Sequence, residues 1–208
     1  MKLGFKSFVK EMIVKRFFDI VFAIAIILLI TPLLFLIAII IWFNSKGGVI
    51  YLQNRVGKNG TEFKLYKFRT MYPHSDRAGL LTIGYNDYRI TPVGYWLRKY
   101  KLDELPQLFN VLIGDMSFVG PRPEVQKYVQ LYTENQLRVL SIKPGITDWA
   151  SIKYFNENEL LSNSANPEEL YINTIIPSKI HQNLEYIDNR NFWMDIKIIF
   201  YTIKKLFK

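Results

Sequence analysis

The chain has 208 residues with 27 basic and 18 acidic side chains, a formal charge of +9, and half of its residues are hydrophobic. That length holds one soluble domain and a membrane element, at about 100–200 residues per domain, and the apolar content excludes a mainly disordered chain. Absence of cysteine excludes disulfides, thiolate nucleophiles and Cys-ligated zinc or iron–sulfur centres, while the surplus of positive charge favours phosphate-rich partners.

The N-terminal stretch is basic, with Lys2, Lys6, Lys10, Lys15 and Arg16, and is followed by residues 20–43, which carry no charge and are interrupted only by Thr31 and Pro32. As a straight helix this segment would measure about 36 Å against a hydrocarbon core of about 30 Å. It is too long, and too bulky at its end, for a cleavable leader. Pro32 removes an amide donor and should bend the helix, with the Thr31 hydroxyl taking a freed carbonyl. Two structures fit: a Pro-kinked span, or a re-entrant helix-break-helix whose limbs of about 18 Å reach mid-bilayer. Lys46, Arg55 and Lys58 follow soon after, so basic residues flank both ends, as expected if both remain cytoplasmic. Asp19 is expected to cap the incoming limb, pair with Arg16 or fix the entrance against the domain.

Residues 49–53 and 63–68 have the β-branched and aromatic content of short strands, joined through 55–61 as a hairpin in which Gly57 and Gly60 permit the turn. Residues 73–91 read as loop. A helix is expected over 95–102, and Pro106 suits the first position of the next one. Asp103 and Glu104 therefore fall at a junction. In that second helix Leu105, Leu108, Phe109 and Leu112 supply the apolar face, leaving Gln107 and Asn110 for another. Residues 125–142 are helix-compatible, Pro144 and Gly145 mark a turn, and 156–169 are polar and turn-rich, hence loop. At the C-terminus Phe192, Trp193, Ile196, Ile199, Phe200, Ile203, Leu206 and Phe207 form an apolar stripe beside Lys197, Lys204, Lys205 and Lys208, the pattern of an interfacial helix. The expected class is α+β: a membrane segment over 1–48 and one cytoplasmic domain over 49–208.

Three charged clusters carry chemistry. Arg69 and Arg122 offer donors suited to phosphoryl oxygens, and the Asp103–Glu104 pair could attack phosphorus or hold a hard cation. The plainer alternative is an acidic helix cap whose charge the two arginines neutralise. A membrane-anchored nucleic-acid-binding module or a scaffold would also be basic and aromatic.

Four ordered runs discriminate among these readings: Lys67-Phe68-Arg69-Thr70-Met71, Asp103-Glu104-Leu105-Pro106-Gln107, Gly114-Asp115-Met116-Ser117 with Gly120-Pro121-Arg122-Pro123, and Lys143-Pro144-Gly145-Ile146-Thr147. Together they closely resemble the bacterial sugar transferase family of monotopic phosphoglycosyl transferases, over residues 14–204. The resemblance implies a re-entrant membrane helix broken at Thr31 and Pro32, on the cytoplasmic face of a bacterial inner membrane. It implies transfer of a sugar 1-phosphate from a UDP-sugar to polyprenyl (undecaprenyl) phosphate, with release of UMP. Asp103 is the implied nucleophile and approaches Mg2+; Glu104 assists. Arg69 and Arg122 are the implied phosphate contacts, with Arg98 and Lys99 as further contributors and Lys143 to Thr147 as another site wall. The implied partners are the UDP-sugar, the polyprenyl phosphate and inner-membrane lipid, with no nucleic acid and with self-association left open. Asp148 departs from the family pattern, standing where glycine is common, so it is expected either to contact the sugar or to cap a turn.

Overall fold

The computed structural model describes residues 2–45, 47–75, 79, 81–84 and 87–207, without the side chains of 2–12. Lys46 and the side chains of Lys2, Lys6 and Lys10, counted among the basic flanks, and Lys208, counted beside the C-terminal stripe, lie outside the described residues. The class is α+β.

Helix α1 runs over Lys2–Asn44 with Pro32 inside it. The helix therefore continues through the expected break. The Thr31 hydroxyl donates to Ile27 O at 2.7 Å, so a local hydrogen bond supports the turn from which proline removes a donor. Both limbs are anchored to the same domain. Ala23 packs with Leu65, Val111 and Met116, while Ile37 and Ile41 pack with Phe68 and Leu97. Between them Leu28 and Leu29 are 70% and 80% exposed, an apolar apex without protein cover. A straight crossing would place Ala23 and Ile37 about 21 Å apart along the membrane normal and pull the charged sheet into hydrocarbon. Entry and exit of both limbs on one face avoids that cost.

The entrance is held by buried polar contacts. Asp19 Oδ1 accepts from Ser117 Oγ and from Phe118 N, each at 3.2 Å. Arg16 does not pair with it but donates to Val111 O and Leu112 O at 2.6 and 3.0 Å, where a helix end leaves carbonyls free. Of the roles expected for Asp19, fixing the entrance is the one observed.

Strands β1 (Ile50–Val56) and β2 (Glu62–Phe68) form the expected antiparallel hairpin, with Ile50 opposite Phe68. Its tight turn uses left-handed conformations at Asn59 and Gly60, φ 57° and 78°. Helix α2 (Pro92–Lys99) starts three residues earlier than the expected 95–102, because the Thr91 side chain caps it by accepting from Gly94 N.

Helix α3 (Gln107–Ile113) follows Pro106 with Leu108 buried and Leu105 and Leu112 against the core as expected, but Phe109 and the polar positions depart from expectation. Gln107 and Asn110 are buried, whereas Phe109 and Ile113 are exposed. The Asn110 carboxamide accepts from Tyr66 N at 2.9 Å and donates to Lys64 O at 2.7 Å, satisfying the outer edge of β2.

Strands β3 (Ser117–Val119) and β4 (Gly145–Thr147) pair in parallel, so Gly145 opens a strand where a turn was expected. The single helix expected over 125–142 is instead α4 (Gln126–Val129) and a 3-10 segment, Gln136–Ser141. Thr133 N donates to Gln136 Oε1 and Gln136 N to Thr133 Oγ1, a reciprocal cap that starts the second segment afresh. Helix α5 (Trp149–Lys153) follows β4. The loop expected over 156–169 contains α6 (Glu157–Ser162) and α7 (Pro167–Leu170). Asn166 caps α7 and Pro167 opens it, while Leu161 is buried in the main core.

Helices α8 (Ile176–Asn189) and α9 (Phe192–Leu206) close the chain. The C-terminal stripe divides. Met194, Ile198 and Ile199 pack with Val119 and Tyr186, while Trp193, Ile196, Phe200, Ile203 and Phe207 remain exposed. The outward residues give α9 the apolar face of an interfacial helix. Asp195 receives Lys15 of α1 and the Tyr186 hydroxyl, tying α1 and α9 together.

Candidate active site

Adjacent carboxylates on a regular helix would diverge by about 100°. Here the chain leaves α2, takes a left-handed conformation at Lys101 (φ 56°), and makes a 3-10 turn over Leu102–Glu104 before α3. Both acids thereby face one cavity of about 550 Å³. Asp103 is 6% exposed, and its Oδ1 has no hydrogen-bond partner. Glu104 Oε1 accepts from Lys67 Nζ at 3.2 Å and from Arg122 Nη2.

Arg122 reaches this position through a close crossing of two backbones. A Cβ on Gly145 would lie 2.2 Å from Gly120 N, and one on Gly120 would lie 2.5 Å from Lys143 O. Only glycine permits that approach. The crossing sets Asp148 beside the Arg122 backbone, where Oδ2 accepts from Arg122 N at 3.0 Å and Oδ1 accepts from Ser151 N. Asp148 therefore caps α5 and braces the arginine, one of the two roles expected for it. Arg122 Nη1 donates to Ile146 O at 3.1 Å.

Burial raises the Asp103 carboxyl above its ordinary value, and the Glu104 charge adds to that; Lys67, Arg98 and Lys101 pull the other way. Burial would raise Glu104 too, but the Arg122, Lys67 and Lys101 charges outweigh it and hold Glu104 low. Burial also lowers Lys67 and Arg98. The result is one fixed anion neutralised by two cations beside a second carboxylate with an open oxygen. Such a carboxylate can act as a nucleophile toward a phosphorus whose oxygens lie on the surrounding cations.

Residues 10–208 match the family model described as bacterial sugar transferase. The chain belongs to that family. It is 37% identical over 196 residues to the UDP-N-acetylgalactosamine-undecaprenyl-phosphate N-acetylgalactosaminephosphotransferase of Aeromonas hydrophila, covering 93% of this chain and 43% of that protein. It is 40% identical over 200 residues to the UDP-glucose:undecaprenyl-phosphate glucose-1-phosphate transferase of Escherichia coli K12, covering 94% and 40%. A third relative, the uncharacterized sugar transferase EpsL of Bacillus subtilis, is 37% identical over 195 residues, covering 94% and 88%. The chain thus spans about two fifths of the length of the first two relatives.

In this sugar transferase family member, Asp103, Glu104, Arg98, Arg122 and Thr147 line the one cavity. Arg98 donates to Thr82 Oγ1 at 2.9 Å, and Thr147 Oγ1 meets Thr202 Oγ1 at 2.6 Å. Arg69, Lys99 and Lys143 do not line it. Arg69 lies just past the end of β2, where Gly48 O takes its Nε at 2.9 Å and the Tyr51 ring lies beneath its guanidinium. Lys99 follows Arg98 by about 100° of helix and rests on Trp96 and Tyr100 outside. Lys143 sits over Gly114 beside Arg16. Thr31 and Pro32 lie in α1, away from the acidic pair.

Lys67 had no role from the sequence, although period-2 alternation places it on the same face as Leu65 and Phe63 and could have marked it. Thr82, Tyr154 and Lys179 join the cavity from distant segments and leave no local signal. Arg55 also lines it, bound to Glu124 and to Pro123 O.

Among the described residues no group of three His, Asp or Glu side chains converges on one point. The residues present nevertheless fit Mg2+, which keeps water and substrate phosphates as ligands and takes one or two carboxylates from protein. The unpartnered Asp103 Oδ1 is a buried oxygen suited to that ion.

Proposed function

We propose that this protein is a membrane-bound phosphoglycosyl transferase that moves a sugar 1-phosphate from a UDP-sugar to polyprenyl (undecaprenyl) phosphate, starting surface glycan or glycoconjugate assembly on the cytoplasmic face. The observation that supports it most is the buried Asp103 oxygen without a partner, set beside a Glu104 clamped by Lys67 and Arg122.

In the first step an Asp103 carboxylate oxygen attacks the sugar-bearing phosphorus. A P–O bond to that oxygen forms, the bond to UMP breaks, and UMP leaves with the electron pair. In the second step an oxygen of the lipid phosphate attacks the same phosphorus and restores the Asp103 carboxylate. Both substitutions occur at phosphorus, so the anomeric bond is untouched. Arg122, Lys67 and Arg98 stabilise the charge spread over the phosphoryl oxygens. Glu104 holds Arg122 and Lys67 in place. Mg2+ held by Asp103 would neutralise the donor diphosphate. Burial keeps water from the phosphosugar intermediate.

The experiment incubates the purified protein with polyprenyl phosphate, Mg2+ and a panel of UDP-sugars and measures UMP and lipid product. Asp103→Asn is expected to lose at least about 1,000-fold in turnover with its fold intact. Peptide mapping after reaction with donor alone should place the phosphosugar on Asp103. Normal turnover by that variant would remove Asp103 from the nucleophilic role.

A further inference from the structure

The cavity that holds Asp103 has an apolar side unrelated to nucleotide or sugar. Ile26 from the exposed apolar helix α1 and Ile203 and Leu206 from α9 line it together with the acidic pair. Both helices present uncovered apolar surface on their outer faces. The site therefore communicates with the lipid side between α1 and α9.

Two cations stand at that side. Lys101, on the turn before Asp103, has its Nζ 5.2 Å from the centre of the Phe155 ring, and Lys205, on α9, has its Nζ 5.7 Å from the same ring. Both line the cavity, both are half-buried, and among the described residues neither forms an ion pair with a carboxylate. Lys101 feels the field of Asp103 and Glu104 without bonding to either, and Lys205 has no carboxylate in contact among the described residues, so the two ammonium groups beside one aromatic ring leave positive charge facing the cavity. A phosphate monoester carries about −1.5 to −2 charge at neutral pH and would complement that charge. Lys67 and Arg122, by contrast, already share Glu104.

We propose that Lys205 and Lys101, both beside Phe155, form the dock for the phosphate of the lipid acceptor, with its isoprenoid chain leaving between Ile26, Ile203 and Leu206 toward the bilayer. This rests on the transferase reading above. The dock is separate from the Arg122–Glu104–Lys67 group that serves the donor. Lys205 is a positioning residue for the acceptor and takes no part in the first bond exchange. Because it comes from a membrane-facing helix, it couples acceptor capture to the seating of α9 on the bilayer.

The test uses the full chain in nanodiscs and separates the two half-reactions. UMP released with donor alone reports the first; lipid product at varied polyprenyl phosphate reports the second. Lys205→Gln is expected to raise the acceptor KM by about tenfold or more, the loss of one charge-assisted contact, with the donor-only UMP burst retained. Lys205→Arg should recover most of the affinity, and Lys204→Gln, at the exposed neighbouring position, should leave the acceptor KM unchanged. Replacing all anionic lipid in the disc by a zwitterionic one should preserve the difference between Lys205→Gln and wild type. If that difference vanishes, Lys205 binds the membrane surface and not the acceptor. An acceptor KM within twofold of wild type for Lys205→Gln, or an equal loss of burst and turnover, overturns the dock alone. No burst from wild-type protein with any donor would overturn the transferase reading as well.

Discussion

Replacing Glu104 by Gln keeps the shape of the side chain and removes the charge that neutralises Lys67 and Arg122. Two effects follow, with opposite consequences. Glu104 is only 17% exposed, with Lys67 at 18% and Arg122 at 32%, so the cations are left poorly compensated. Breaking a buried ion pair from one side costs about 3–5 kcal/mol; partial exposure of Arg122, and the remaining bond from its guanidinium to Ile146 O, favour the lower end. Glu104 is held below its ordinary value, so its stabilising contribution is fully present above about pH 4.3 and is lost as pH falls through the folded value. At neutral pH the variant should be less stable than wild type, and the difference should shrink on acidification. The second effect falls on Asp103, whose carboxyl is raised by burial and then by Glu104. Two like charges in a partly buried cavity repel, and the repulsion favours the neutral form of Asp103. Without Glu104 that repulsion disappears, and Asp103 should ionise at lower pH. A nucleophilic carboxylate loses activity as pH falls through its pKa, so the acid limb of donor-only UMP release should move to lower pH even though the maximum rate drops. Stopped-flow or quench measurements from pH 4.5 to 8 would read it. An acid limb that stays in place, or moves up, refutes the assignment of Asp103 as the titrating nucleophile under the influence of Glu104.

Three further substitutions examine the scaffold. Asn110→Ala removes a fully buried side chain and leaves Tyr66 N and Lys64 O, both part-buried, without their partners. At about 1–3 kcal/mol for each group, thermal unfolding should show a loss of about 2–5 kcal/mol; a loss below about 1 kcal/mol would mean that β2 does not depend on this side chain. Gly145→Ala puts a Cβ against the Gly120 backbone, which cannot swing aside as a side chain can. It should open the β3–β4 pair, cost about 3 kcal/mol or more and abolish turnover by drawing Arg122 from Glu104. Gly48→Ala has a strained φ of +82° but no crowding atom, and limited proteolysis should find it much milder.

The hairpin, the uncharged helix with its Thr31-Pro32 pair, the C-terminal amphipathic helix and the acidic junction were legible because each rests on local rules: alternation, uninterrupted apolarity, 3.6-residue spacing and the exclusion of proline from helix interiors. Pro106 marks where α3 begins, and the chain does turn there. The same local rules misplaced Gln107 and Asn110; a polar residue belongs outside unless a distant segment offers it partners, and for Asn110 those are backbone groups of a strand more than forty positions away. They also allowed a single helix over 125–142, because the Thr133–Gln136 cap competes with helix continuation at a point that apolar spacing does not mark.

The sequence alone determined which residue types carry the chemistry, and in what order: two adjacent carboxylates, a proline junction and arginines within recognisable runs. Which cations meet those carboxylates was decided by tertiary structure. Arg122 arrives because Gly120 and Gly145 let two backbones cross, and Lys67 arrives because β2 packs beside the 3-10 turn. Arg69 has the same charge and lies two residues further on, yet its guanidinium is taken by Gly48 O. Charge is a property of the residue, but proximity comes from contacts between distant segments, and in a partly buried cavity proximity sets which carboxylate is neutralised and which keeps an open oxygen.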